Sequence, residues 1–532
     1  MKTKKTIGIC VMSLLLGLSV TSCNKWLTLE PEDGVTFSDY FQSQSDVNAL
    51  VVGIYCEMMD PAYIKNLFLW GELRADMVTG GTKPLASYTS VISGEINSSN
   101  TICQWSGFYS VINNCNIVVK FADYPIQKHL DASYTQKEAD QYKAEALALR
   151  GLTYFYLLRS FGEVPLVLDA SLSDAQNYSI AKSSKEDVMK QIISDLTTAD
   201  SSLTPSYNTE NGKGRITKWA VKAILADVYL WNEEYGKAQK CCDAIIASGK
   251  FNMIPVDRTL VYIEETTVQQ ADTVYYADDS QVSNLFNSVY ATGNSTESIF
   301  ELNFNETKTN GLWDFFSASK NVLVANAENI DANYFLPYTA DANVYDIRSK
   351  SFAYKGTMVW KYMGLTRTGL PRNVAQSYAD WIFYRYPEIL LMKAEALIEQ
   401  AKADSNQVKL TAALKLIEQV RTRANALKNT QVNFTEGIIK PTELEGYLLN
   451  ERAREFMFEG KRWYDVLRFA KRNNYENLSY LLNLALTTSA PSEKQKSLQT
   501  KYKDTRSHYW PIYVTELENN PKLVQNDFYE TK

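Results

Sequence analysis

The chain holds only two histidines among its 532 residues, His129 and His508. A histidine-rich metal centre is thereby excluded, and imidazole-based nucleophilic catalysis has few candidates. A phosphate loop is missing as well. Gly212-Lys213-Gly214 lacks the longer glycine spacing and the Lys-Ser/Thr ending, and reads as a helix-entry turn. Basic charge is in deficit, with 55 Lys and Arg against 61 Asp and Glu. An acidic body argues against a nucleic-acid partner and against adhesion to anionic lipid through a basic face. Those acidic residues supply many chance pairs, but glycoside hydrolysis needs two carboxylates about 5–9 Å apart, and no local motif singles out a pair. Missing motifs do not exclude an enzyme, but they offer no catalytic, metal or cofactor site, and the expectation is of a non-catalytic protein without metal or cofactor.

After the first 20 residues there is no second long apolar run, so no later transmembrane helix is expected. The start has its own pattern. Lys2, Lys4 and Lys5 precede an almost wholly apolar stretch over 7–20, and Val20-Thr21-Ser22 leads into Cys23. Fourteen helical residues make only ~21 Å, short of a ~30 Å hydrocarbon core. The order is that of a cleaved lipoprotein signal over residues 1–22, with Cys23 as the lipidated first residue of a mature chain 23–532. Loss of three lysines would take the formal charge from −6 to −9. Buried acyl chains contribute ~0.8 kcal/mol per CH₂, so two or more would hold the body to a membrane firmly. Cys56, Cys103, Cys115, Cys241 and Cys242 then remain, an odd set that cannot all pair within the chain. Cys241 and Cys242 read as small core residues on a helix.

What is abundant is helical periodicity. Residues 217–250 read as two antiparallel helices, marked by Ala220, Ala223, Leu225, Ala226 and Tyr229, then Tyr235, Ala238, Ala244 and Ile245, with Gly249 as C-cap. Unit length and spacing are those of a tetratricopeptide repeat, with Lys222 as a departure. Residues 142–161 pair with 184–203, 387–401 with 410–426, and 442–459 with 461–473 across Gly460. The predicted fold is mainly α, a tetratricopeptide-like solenoid of about four helix pairs within 142–250 and 387–473. Segments 60–125 and 252–386 read as loop- and β-rich elaborations, with strands at 260–263 and 298–304. Aromatics in such polar sequence favour an ordered, functional surface.

Several motifs together resemble one family, the SusD/RagB nutrient-binding outer-membrane lipoproteins. They begin at Cys23-Asn24-Lys25-Trp26-Leu27 with Pro31. They continue through Arg150-Gly151 to Val164-Pro165, Gly214-Arg215-Ile216-Thr217, and Tyr384-Arg385-Tyr386-Pro387-Glu388 with Ala394-Glu395-Ala396-Leu397. The most specific are Asn450-Glu451-Arg452-Ala453-Arg454-Glu455 and Phe458-Glu459-Gly460-Lys461-Arg462-Trp463-Tyr464-Asp465. Trp510-Pro511-Ile512, Glu516, Asn520-Pro521 and Gln525-Asn526 close the set. Lys461 departs from the family's frequent histidine, and matches thin out over 252–386.

The resemblance implies a cell-surface lipoprotein of the outer membrane that binds an oligosaccharide or another oligomeric nutrient. It also implies a partner, a SusC-like TonB-dependent transporter barrel that receives the ligand. The alternatives are a lipid-anchored glycoside hydrolase and a tetratricopeptide adaptor without a small ligand. The charged residues of 450–462 read as ion pairs between elements, because a helix dense in both signs pairs them. Trp463 likewise reads as packing. The chain carries 34 Tyr and 10 Trp. Aromatic faces stack on sugar C–H faces while Asp, Asn and Arg bond hydroxyls. By position the ligand candidates are Asp76, Trp105, Trp313 and Phe316.

Overall fold

Capping residues decide where the helices start, and small residues decide how closely they pack. In the computed structural model the described residues are 40–530, apart from 173–175, 177, 208–211, 265–271, 337–340, 350–351 and 435–437. The expected signal segment and Cys23 lie outside them. The principal helices are α1 (Gln44–Met58), α2 (Pro61–Glu72), α3 (Ser106–Phe121), α4 (Gln136–Phe161), α5 (Lys185–Ser202), α6 (Lys218–Trp231), α7 (Tyr235–Ala247), α8 (Tyr386–Ala401), α9 (Gln407–Arg423), α10 (Pro441–Glu455) and α11 (Arg462–Tyr475).

Local chemistry explains their ends. Thr135 accepts the Glu138 N–H, and Glu138 returns a carboxylate to the Thr135 N–H, which opens the long helix α4. Ser184, Thr217 and Asn406 cap α5, α6 and α9 by accepting a backbone N–H three residues on. Gly162 ends α4 at φ 78°, a conformation that glycine adopts without Cβ strain.

The expected pairs form: α4 packs on α5, α6 on α7, and α8 on α9. They stack, α5 against α6 and α7 against α8, as a mainly helical solenoid. Ala226 and Ala238 are fully buried, which lets α6 and α7 approach closely. Lys222, the departure from the repeat pattern, reaches Asp200 on α5 at 2.9 Å and so ties neighbouring units. The fourth pair differs from the others. α10 packs chiefly on α8, and α11 also meets α2, so these helices close the array onto the N-terminal elements.

Between 60 and 125, where the polar sequence reads as irregular, α2, a short helix (Ala86–Ile92) and α3 are present. In α3 the buried Phe108, Val111, Ile112 and Cys115 follow helical spacing, so that helix carries a core-facing stripe. Among the described residues the strands form two-stranded ribbons. β1 (Val78–Gly80), β2 (Val164–Pro165), β3 (Lys182–Ser183), β4 (Arg258–Ile263), β5 (Asp272–Ala277), β6 (Ser298–Leu302), β7 (Leu323–Ala325) and β8 (Trp381–Arg385) supply the main ones. β1 pairs with β7, Val78 opposite Ala325, and thereby joins the two elaborations. β4 pairs with β5, and β6 with β8, the last with an irregular register near Tyr384.

Candidate ligand-binding cavity

Trp105 caps the start of α3, and Tyr109 and Asn113 follow at successive turns, so all three share one face. The Trp105 ring meets Phe161 edge-on at 5.0 Å and Tyr109 at 5.7 Å. Its indole lies beside the Glu516 carboxylate and favours that group's charged form. Tyr109 donates its hydroxyl to the Pro165 carbonyl at 2.8 Å, fixing α3 against the end of β2. The Ser171 N–H donates to the Asn113 side-chain oxygen at 2.7 Å. A third wall comes from near the C-terminus, where Asn520 donates to the Ile180 carbonyl at 2.8 Å.

These three segments enclose an open cavity of about 520 Å³, within the usual range of small-molecule sites. Ile112, Val167, Ile180 and Leu523 give it apolar walls, and Tyr178 stands at its edge with 51% of its surface exposed. Asn113, Asn519 and Asn520 add polar groups. Burial raises the Glu516 carboxyl above its ordinary range, and the Trp105 N–H opposes that shift. Chemically this is an amphipathic site: aromatic surface for an apolar face, amides and carboxylates for hydroxyls.

The four residues singled out by position have different surroundings. Trp105 lies in the cavity wall but is only 2% exposed, a floor rather than an open platform. Trp313 does not line this cavity. It is half-buried on a one-turn helix (Trp313–Phe316), beside the Lys65–Asp314 ion pair at 2.8 Å. Phe316 is buried, stacked on Tyr362 and edge-on to Phe68 at 5.1 Å. Asp76 has no exposed surface; it accepts from Arg462 at 3.1 Å and from Tyr334, while its backbone carbonyl accepts from Asn329. We assign Asp76 and Phe316 to the core, since neither presents an atom to a ligand.

Sequence reasoning missed Tyr178, Asn519 and the cavity-facing role of Glu516. Spacing at 105, 109 and 113 was a usable signal for one wall. The other two walls come from segments about 60 and 400 residues further on, which no local pattern connects. A second recess of about 540 Å³ lies in the 252–386 elaboration, between Asn305 and Arg367. There the Arg367 guanidinium stands 5.5 Å from the Tyr378 ring.

Comparison with known proteins places this architecture. A family model described as the SusD family matches residues 265–529, and one described as starch-binding, associating with outer membrane, matches 25–230. SusD-like protein P38 of Formosa agariphila is 26% identical over 99% of both chains. A SusD-like protein of Bacteroides ovatus is 23% identical over 86% of this chain and 82% of its own. The fold is shared with a SusD superfamily protein from Bacteroides vulgatus, with a TM-score of 0.69 at 21% identity, covering 92% of this chain and 99% of that one. It is shared also with NanU of B. fragilis, with a TM-score of 0.63 at 21% identity, covering 94% and 100%. Two family models covering both halves, full-length relatives and a common helical-repeat fold lead to one conclusion: the chain belongs to the SusD/RagB family.

Proposed function

We propose that this protein is a surface-exposed outer-membrane lipoprotein that captures an oligosaccharide and passes it, unaltered, to a TonB-dependent transporter barrel. The observation that carries the reading is the cavity at Trp105, which combines aromatic rings with amide and carboxylate side chains. That combination suits a sugar, whose C–H face stacks while its hydroxyls need hydrogen-bond partners. The family description as starch-binding and associated with the outer membrane agrees with it. The anchor in this reading is Cys23, exposed by removal of residues 1–22, and the rest of the chain, 23–532, is one nutrient-binding body. No helix among the described residues is long and apolar enough to cross a membrane.

Calorimetry of wild type, Tyr178→Ala, Trp105→Ala and Trp313→Ala against a panel of oligosaccharides tests the site. Loss of a stacking surface at Tyr178 should weaken binding about 5- to 150-fold, by analogy with base–aromatic stacking at ~1–3 kcal/mol. Trp105→Ala should weaken it too, by freeing Glu516 and opening the floor. Unchanged affinity in both variants would discard the cavity, and product release during long incubation would discard the non-catalytic assignment. Gentle detergent extraction should recover an integral barrel with the protein, and recovery of the protein alone from repeated native preparations would remove the transporter from the proposal.

A further inference from the structure

We infer that the sugar bound in the Trp105 cavity carries a protonated amine, so that the ligand class is an amino-sugar oligomer; this rests on the oligosaccharide reading. The charge of the lining is one-sided. Among the described residues it includes two carboxylates, Asp169 and Glu516, and no lysine, arginine or histidine. Carboxylates in the ion-pair network have cations: Glu459 has Lys361 and Arg385, and Asp195 has Arg150. Glu516 is half-buried in the cavity wall beside the neutral indole of Trp105, and no cation lies with it among the lining residues described. A carboxylate that gives up water without gaining a cation is held at a disadvantage, which an incoming ammonium would relieve.

The aromatic groups point to the same charge. Trp105, Tyr109 and Tyr178 all line the cavity, and ring faces attract a cation within about 6 Å. Hydrogen bonding adds the sugar. The Asn113 side-chain oxygen accepts from Ser171, and the Asn520 amide donates to Ile180. Each amide is therefore held in place and keeps further hydrogen-bonding capacity for a hydroxyl. A basic peptide would satisfy the charge and the amides, but its backbone has no flat C–H face to lie on the aromatic rings, so the amino sugar is the better occupant.

Calorimetry at pH 6 with the lipid-free mature chain can decide it, using β-1,4-linked glucosamine trimer, its tri-N-acetyl counterpart, maltotriose and trilysine. Wild type should bind the free-amine trimer about tenfold or more tighter than either neutral trimer. Glu516→Gln, which keeps a side-chain oxygen beside Trp105, should abolish that preference, bringing the free-amine and tri-N-acetyl trimers to equal affinity. Asp169→Asn should narrow it. Equal affinity for the amine and acetylated trimers, or an unaltered preference in Glu516→Gln, would overturn the inference. So would binding of trilysine without binding of the glucosamine trimer. Neutral trimers that bind wild type and are weakened by Tyr178→Ala, with no preference for the amine, would sink the amino-sugar class and leave the oligosaccharide reading standing. Absence of binding to every saccharide would sink both.

Discussion

At Glu72 a carboxyl group sits with no exposed surface at the end of α2. One oxygen accepts the N–H groups of Gly460 at 2.9 Å and Lys461 at 3.2 Å, while the other has no partner. Burial pushes this group up to about 8, and the backbone N–H groups and Arg462 only partly oppose it. Its folded value is raised, so its stabilising contribution is complete below the unfolded value near 4.5 and is lost as pH rises through 8. Between those limits the unfolded chain releases a proton that the folded one keeps, and stability falls by up to ~1.4 kcal/mol per pH unit. Glu72→Gln keeps an acceptor without the charge. Urea unfolding at pH 5, 6.5, 8 and 9 should show the variant gaining on wild type up to about pH 8 and then running parallel. A constant difference across that range would refute the assignment. In sequence Glu72 is simply one acidic residue among many, and only its burial singles it out.

At the scale of elements, α2 and the turn before α11 meet backbone to backbone. A Cβ added at Gly71 would lie 1.9 Å from the Gly460 carbonyl oxygen, and Gly460 itself has φ 70°. Since the obstacle is main chain, no side chain can swing aside. Gly71→Ala should lose at least ~1–3 kcal/mol, the usual effect of overpacking. Gly53 in α1 provides the contrast, because an added Cβ would meet nothing within 4 Å. Gly53→Ala should therefore gain ~0.5–1 kcal/mol from helix propensity. Chemical denaturation of the two variants measures both, and equal effects would show that the α2–α11 approach is not tight. Sequence reading finds Gly460 as the joint between two helices. It cannot find Gly71, which lies within a helix nearly 400 residues earlier and is glycine because of what touches it.

Across the whole molecule, buried ion pairs join the solenoid to the elaborations. Arg385 on β8 reaches Glu459 at 3.0 Å, Arg423 on α9 reaches Glu297 at 2.8 Å, and Arg421 reaches Glu451 at 3.0 Å. Arg348 and Arg385 both contact Glu455. Burial alone would raise these carboxyls, but Arg348, Arg454 and Arg421 outweigh it and bring Glu451 down to about 2. At Glu459, Arg385 and Lys361 do the same, also to about 2. Their stabilising contribution is present above the unfolded value near 4.5 and is lost as pH falls through 2. Glu455→Gln removes one partner from several buried arginines and should cost ~3–5 kcal/mol at neutral pH. Thermal unfolding should then show a smaller drop in stability between pH 5 and 3 than wild type shows. An unchanged midpoint at pH 7 would mean that the network does not hold the two parts together.

Local sequence set the helical repeats, the Gly249 cap and the ion-pairing character of 450–462. Those features depend on neighbours three or four residues apart, and such spacing is written directly in the chain. Tertiary structure alone decided which arginines reach the acidic helix, because Arg348, Arg385 and Arg423 come from segments with no shared pattern. It also decided that Asp76 serves an internal ion pair with Arg462, and that Trp105, Tyr178 and Glu516 line one cavity. Helix faces are set by local periodicity, whereas the meeting of distant loops is set by how those faces stack, and that geometry has no local signature.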